Sequence, residues 1–294
     1  MKQGLLVACL PTRNVLESIE ASHKMGYRAC EISVCLDDKR PNLTDAPESE
    51  WRDVCARARD LGMEISALQC HMHNGYGDVD PAVRQNCVDH TKRMIDMAGT
   101  MGIDIVHTVS GVAEDDAPHD EKLDRVADCY REILKSVGPG SPQIGMEPVF
   151  IYVVGNLAHT DALYERLGET PLMINMDPGH FPFHNESPTP FIRKYGSRII
   201  HAHSKDCVIT DGAPPPFEEQ DPNNLVFPTP DGERTFRFSE PGSGLLDWDE
   251  IMQELKAVGF DGVISLEQGH GYLSDPFECA AETYAFFRDR YGLS

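Results

Sequence analysis

The chain has 294 residues, with 26 Lys plus Arg against 48 Asp plus Glu, a formal net charge of −22. That length can bury a large core as one big domain or two smaller ones, and 40% apolar with 25% charged residues is an ordinary globular mix that argues against disorder. The acidity opposes nucleic acid as a partner, because such binding runs on clustered Lys and Arg. No apolar run approaches the roughly 20 residues of a membrane span, so a small ligand or a bound cation is expected instead.

The N-terminus is apolar from Gly4 to Leu10 and stops at Pro11. Leu6-Val7-Ala8-Cys9 resembles a lipoprotein cleavage box, but too little apolar sequence precedes it, and a first barrel strand explains the same residues better. The nine cysteines are scattered and include no CxxC. Cys30, Cys55, Cys87 and Cys129 sit in apolar periodic segments and read as buried thiols. A reducing cytoplasm is the expected location.

In chain order, short apolar runs predict strands at Leu5–Leu10, Ala29–Val34, Glu64–Cys70, Ile103–Val109, Gln143–Pro148, Pro171–Asp177, Arg198–Lys205 and Gly262–Glu267. Helical stripes alternate with them: Trp51, Val54, Cys55, Ala58, Leu61; then Val83, Cys87, Thr91, Met94, Ala98, Met101; then Ile251, Met252, Leu255, Val258; then Phe277, Ala280, Ala281, Tyr284. Weaker helices fit Val15–Met25, Glu121–Val137, Asn156–Leu167 and Pro190–Tyr195. Met25-Gly26-Tyr27, Leu61-Gly62-Met63, Met101-Gly102-Ile103 and Val258-Gly259-Phe260 share one helix-to-strand junction, in which glycine takes the left-handed cap. Repeated βα units imply an α/β fold, a single closed (β/α)8 TIM barrel over residues 1–294. A doubly wound sheet is the rival, but no GxGxxG follows the first strand. Residues 207–241 form a long insert after strand seven, rich in Pro and acids, expected over the catalytic face as a lid or subunit contact; a mobile surface loop is the alternative.

Chemistry gathers at the strand ends. Glu147 ends the fifth strand, Asp177 the sixth, His203 stands at the end of the seventh and Glu267 at the end of the eighth. Three converging carboxylates repel unless a cation joins them. Oxygen-rich ligands with one imidazole suit Mn2+ or Mg2+, with Co2+ or Zn2+ also accommodated. His201 shares the parity of His203 and Lys205 but lies a layer deeper, as a satisfied core histidine. Lys205 lies a step outward, near a substrate. Asp206 either holds Lys205 or His203 or caps the loop. His180, on a tight Pro-Gly turn, points back at the site. Glu31, Gln69, His71, His73 and His107 are inward candidates for substrate hydroxyls, and His270 is one more histidine near the eighth strand end.

Met146-Glu147-Pro148, Asp177-Pro178-Gly179-His180, His201-Ala202-His203-Ser204-Lys205-Asp206, Pro241-Gly242-Ser243-Gly244 before Asp247-Trp248, and Gly262–Glu267 together resemble the xylose isomerase-like (β/α)8 barrel superfamily, in its sugar phosphate isomerase/epimerase group. The resemblance implies a divalent metal on Glu147, Asp177, His203 and Glu267, proton transfer by Glu147 and Glu267, and substrate binding by His180. Ketose 3-epimerases of this group usually carry an arginine after the metal histidine; Lys205-Asp206 follows the pattern of inosose dehydratase-like members.

The implied function is a metal-dependent isomerase or epimerase of a keto sugar or polyol, working by proton abstraction α to a carbonyl through an enediolate. The alternative is a dehydratase or lyase of a keto-inositol or 3-keto glycoside, with His180 or Lys205 as the acid. A remote alternative is an apurinic-site endonuclease, which His71, His107, Glu147, Asp177, His180, His203 and Glu267 echo; that family needs a later Asp-x-His pair, and Cys207–Glu267 holds no histidine. A homo-oligomer is expected, with a hetero-complex the alternative.

Overall fold

The computed structural model describes residues 1–36, 41–72, 75–220, 225–267 and 275–294. Among these, eight parallel strands close into a barrel: β1 (Lys2–Leu6), β2 (Ala29–Ser33), β3 (Glu64–Gln69), β4 (Ile105–Val109), β5 (Gln143–Glu147), β6 (Met173–Met176), β7 (Ile199–His203) and β11 (Val263–Leu266). Closure is made by β1, which pairs with β11 on one side and β2 on the other. The first strand is shorter than its apolar run predicts. Val7–Cys9 turns into a 3-10 helix with Val7 and Ala8 buried, so hydrophobicity there reflects burial beyond the strand end.

Eight helices follow the strands among the described residues: α1 (Val15–Met25), α2 (Glu48–Asp60), α3 (Pro81–Met101), α4 (His119–Leu134), α5 (Leu157–Leu167), α6 (Thr189–Tyr195), α7 (Trp248–Ala257) and α8 (Pro276–Tyr291). The four junction glycines all have positive φ, from 67° at Gly62 to 113° at Gly26, where a β-carbon is strained. At Gly26 a β-carbon would also stand 2.6 Å from the Tyr284 ring. The buried face of α8 is Cys279, Ala280, Thr283 and Phe287, whereas Phe277 and Ala281 are exposed. Of the expected stripe Phe277, Ala280, Ala281 and Tyr284, only Ala280 is buried, so the covered face lies further round the helix. Cys55 is half-buried rather than buried; Cys30, Cys87 and Cys129 are buried as expected, and none of the nine cysteines is joined in a disulfide.

The insert carries its own antiparallel sheet: β8 (Asp206–Asp211), β9 (Phe227–Pro228) and β10 (Arg234–Ser239), in the order β8-β10-β9. The loop alternative is therefore corrected for its described residues. Cys207, Phe236 and Phe238 pack with Phe150, and Phe183 and Phe227 close the cluster, so a small apolar core fixes the sheet over the barrel mouth. Both ends of the insert meet at the buried Asp206 carboxylate, which accepts backbone N–H groups from Cys207, Gly242, Gly244 and Leu246 and the indole N–H of Trp248. Of the two roles expected for Asp206, this is the loop cap.

Candidate functional site

Four strands set the outer carboxylates and the imidazole. Glu147 is the last residue of β5 and His203 the last of β7; Asp177 directly follows β6 and Glu267 directly follows β11. One ligand atom from each of Glu147, Asp177, His203 and Glu267 lies within 4.8 Å of the others. His203 Nδ1 stands 3.2 Å from Glu147 Oε2, 3.8 Å from Asp177 Oδ2 and 3.1 Å from Glu267 Oε2. Asp177 Oδ1 accepts the Gly179 N–H at 2.8 Å, which turns the chain out of β6 and leaves Oδ2 facing the cluster. Among the described residues Oδ2 accepts no well-aligned hydrogen bond, although Lys205 Nζ is 2.9 Å away.

This donor set fits a divalent cation. Three carboxylates and one imidazole converge from separate strands, and an under-satisfied buried oxygen points into their midst. Burial opposes ionisation of Glu147 and Glu267. His203 beside Glu147, and Lys205 with His203 beside Glu267, outweigh it and hold both carboxyls well below the usual range. Burial likewise opposes a charge on Lys205, and Asp177, Glu267 and Glu147 reverse that, so the ammonium form is favoured.

The remaining expected residues fall into two groups. His180 does point back: its Nε2 lies 3.1 Å from Glu147 Oε1 and 3.5 Å from Asp177 Oδ2, and Phe150 stacks on its ring. His71 Nε2 is 3.4 Å from Glu147 Oε2, and burial pushes its imidazole down to about 4. Lys205 pairs with both Asp177 and Glu267. Glu31 and His107 lie lower. Glu31 is mid-strand in β2, His107 is mid-strand in β4, and both are fully buried. His201 is indeed a buried histidine a layer beneath His203, with its Nε2 3.2 Å from Ser66 Oγ. His73 and His270 lie outside the described residues.

Three contributors went unnoticed in the sequence or were given little weight. Asn175 donates to Glu147 Oε2 at 2.9 Å; it has the parity of Asp177, which was its only signal. Gln69 donates to Glu267 Oε1. Phe238, from the insert, lies edge-on to His180 and places its ring 4.9 Å from Lys205 Nζ, a cation–π distance.

Comparison with known proteins agrees with the barrel fold. Residues 19–290 match the model for the xylose isomerase-like TIM barrel. The chain belongs to the xylose isomerase-like TIM barrel family. A relative within reach of sequence comparison is an inosose dehydratase of Lacticaseibacillus casei, 28% identical over 185 residues that cover 59% of this chain and 58% of the relative. The chain thus spans a little over half the length of that relative. Among solved structures, a 3-keto-D-glucoside 4-epimerase from E. coli superposes with a TM-score of 0.74 at 17% identity, covering 98% of this chain and 99% of that one. A zinc-binding IolI protein gives 0.72 at 20% identity, over 98% and 97%. At these identities the superpositions speak for the fold alone.

Proposed function

We propose that this member of the family is a metal-dependent dehydratase of a keto polyol. The reading is carried by one observation: a buried Lys205 ammonium group lies among the carboxylates, against Asp177 and Glu267. Glu147, Asp177, His203 and Glu267 would hold a divalent cation, Mn2+ or Mg2+ by their oxygen-rich chemistry, and it would supply positive charge for a substrate oxygen that gains electrons. Glu267, the least buried of the four, takes the proton α to the carbonyl. The C–H electron pair passes into an enediolate. The enediolate expels the hydroxyl on the β-carbon, Lys205 gives it a proton, and it leaves as water. His180 and Asn175 each donate to one oxygen of Glu147 and fix its carboxylate. The inosose dehydratase relatives support this reaction class.

A second reading, an isomerase or epimerase, is favoured by a different observation. Glu147 and Glu267 stand at nearly equal distances, 3.2 and 3.1 Å, from His203 Nδ1, so two carboxylates are available to remove and return a proton. Incubation with keto-inositols and keto sugars in deuterated water, with Mn2+ present, separates the two. An unsaturated product with loss of water supports the dehydratase. Deuterium in an epimerised or isomerised sugar, with no unsaturated product formed, overturns it in favour of the epimerase.

A further inference from the structure

The lumen beneath the site holds a polar cluster that the proposed reaction does not use. Glu31, His107 and His201 come from β2, β4 and β7, which are not neighbours around the barrel, so their side chains meet across its interior. Such interiors are usually filled with branched apolar side chains. Here His107 Nδ1 lies 2.8 Å from Glu31 Oε1, His201 Nδ1 lies 3.9 Å from it, and the His107 and His201 rings are 4.4 Å apart.

From this geometry we infer that Glu31 is a positioning residue that sets the tautomer and tilt of His203 for the metal. The inference rests on the metal site proposed above. His203 spans two layers. Its Nε2 lies 3.1 and 3.2 Å from the two oxygens of Glu31, while Nδ1 faces Glu147, Asp177 and Glu267. A carboxylate only accepts, so Nε2 carries the hydrogen. A neutral imidazole has one N–H and one lone pair, and with the hydrogen on Nε2 the lone pair falls on Nδ1, the nitrogen turned toward the outer carboxylates. His107, and through it His201, keeps Glu31 from swinging away. Carboxylates behind metal-bound histidines act in this manner, and their loss weakens binding by about 10- to 100-fold.

The same four side chains, Glu31, His107, His201 and His203, also lie close enough to surround a cation themselves. With the outer cation bound as well, that arrangement would require His203 to give a lone pair on both sides, hence to lose its ring proton. The tautomer role requires no such loss.

Titration of the purified chain with Co2+, followed by calorimetry and visible absorption, tests the inference. The expected result is one Co2+ per chain, with binding weakened about 10- to 100-fold and an altered ligand-field spectrum in Glu31→Gln, at a retained circular-dichroism spectrum. Glu31→Asp, which keeps the charge but draws it back, should recover part of the affinity; it also carries the test if Glu31→Gln does not fold. Wild-type affinity and spectrum in Glu31→Gln overturn the positioning role while leaving the outer site intact. Two Co2+ per wild-type chain and one per Glu31→Gln chain overturn it in favour of a direct ligand. A wild-type chain that takes up no Co2+ overturns the metal site and this inference together.

Discussion

The indole N–H of Trp248 donates to Asp206 Oδ2 at 3.0 Å, a bond between residues 42 positions apart. The same carboxylate accepts from the backbone of Cys207, Gly242, Gly244 and Leu246 at 2.8–3.2 Å. Asp206 therefore joins the two ends of the insert directly behind Lys205. Asp206→Asn keeps one accepting oxygen but turns an NH2 toward buried donors. Unpaired buried groups cost about 1–3 kcal/mol each, so a loss of at least about 3 kcal/mol is expected in urea unfolding. A loss under about 1 kcal/mol would show that the loop re-forms its bonds elsewhere.

Lys205 and Glu267 form an ion pair, yet the proposed chemistry gives them separate tasks. Glu267→Gln should abolish both proton exchange and dehydration. Lys205→Gln should suppress dehydration by about 10²–10⁴-fold while exchange of the α-proton with deuterated water continues. Parallel measurement of deuterium uptake and product formation checks the split; equal loss of both in Lys205→Gln would place Lys205 in the first step.

Gly179 sits where the chain leaves β6 with almost no room. A β-carbon there would stand 2.9 Å from Lys205 Cβ, 3.0 Å from the Lys205 carbonyl oxygen and 3.2 Å from Asp177 Oδ1. Two of those atoms belong to the Lys205 backbone or its root and cannot swing aside. Gly179→Ala should lower kcat by about 10²-fold through displacement of the acid. Because the nearest atoms belong to Lys205 and Asp177, the loss should show first in activity, with the melting temperature falling by only a few degrees.

Away from the site, His159 lies half-buried beside His119, with ring centroids 4.2 Å apart, and Gly155 N–H donates to its Nδ1. Burial, then His119 and His184, push the His159 imidazole down to about 4. The unfolded chain takes up that proton near the ordinary value of about 6.5. Between these two values the unfolded state binds more protons, so stability falls as pH drops from about 6.5 toward 4. His159→Gln should flatten this part of the urea-midpoint curve relative to wild type, and an unchanged slope would assign the acid sensitivity to other groups.

The barrel was legible because its signals are local. Gly26, Gly62, Gly102 and Gly259 each mark a helix end, and Glu147, Asp177, His203 and Glu267 each terminate a strand. Strand parity told which residues face inward but not how deep they lie. Depth depends on strand tilt and stagger around the closed sheet, so Glu31 and His107 read as substrate contacts although they lie below the carboxylates. The insert was opaque for another reason. β8 and β10 are short strands separated by Pro-rich sequence, and their pairing, with Phe236 opposite Ile209, is a long-range choice made by packing against Phe150. Asn175 escaped because an amide in a strand carries no charge to draw attention to it.

The polar lumen has an evolutionary consequence. Glu31, His107 and His201 occupy the volume where aliphatic side chains would cohere best, and replacing buried ionic groups by well-packed apolar ones is often neutral or stabilising. A barrel redesigned with Val, Ile and Leu at these three positions should tolerate more heat and weaken the proposed metal site. Selection for thermal robustness alone would erode this protein from the inside, while its outer helices and glycine junctions stayed unchanged.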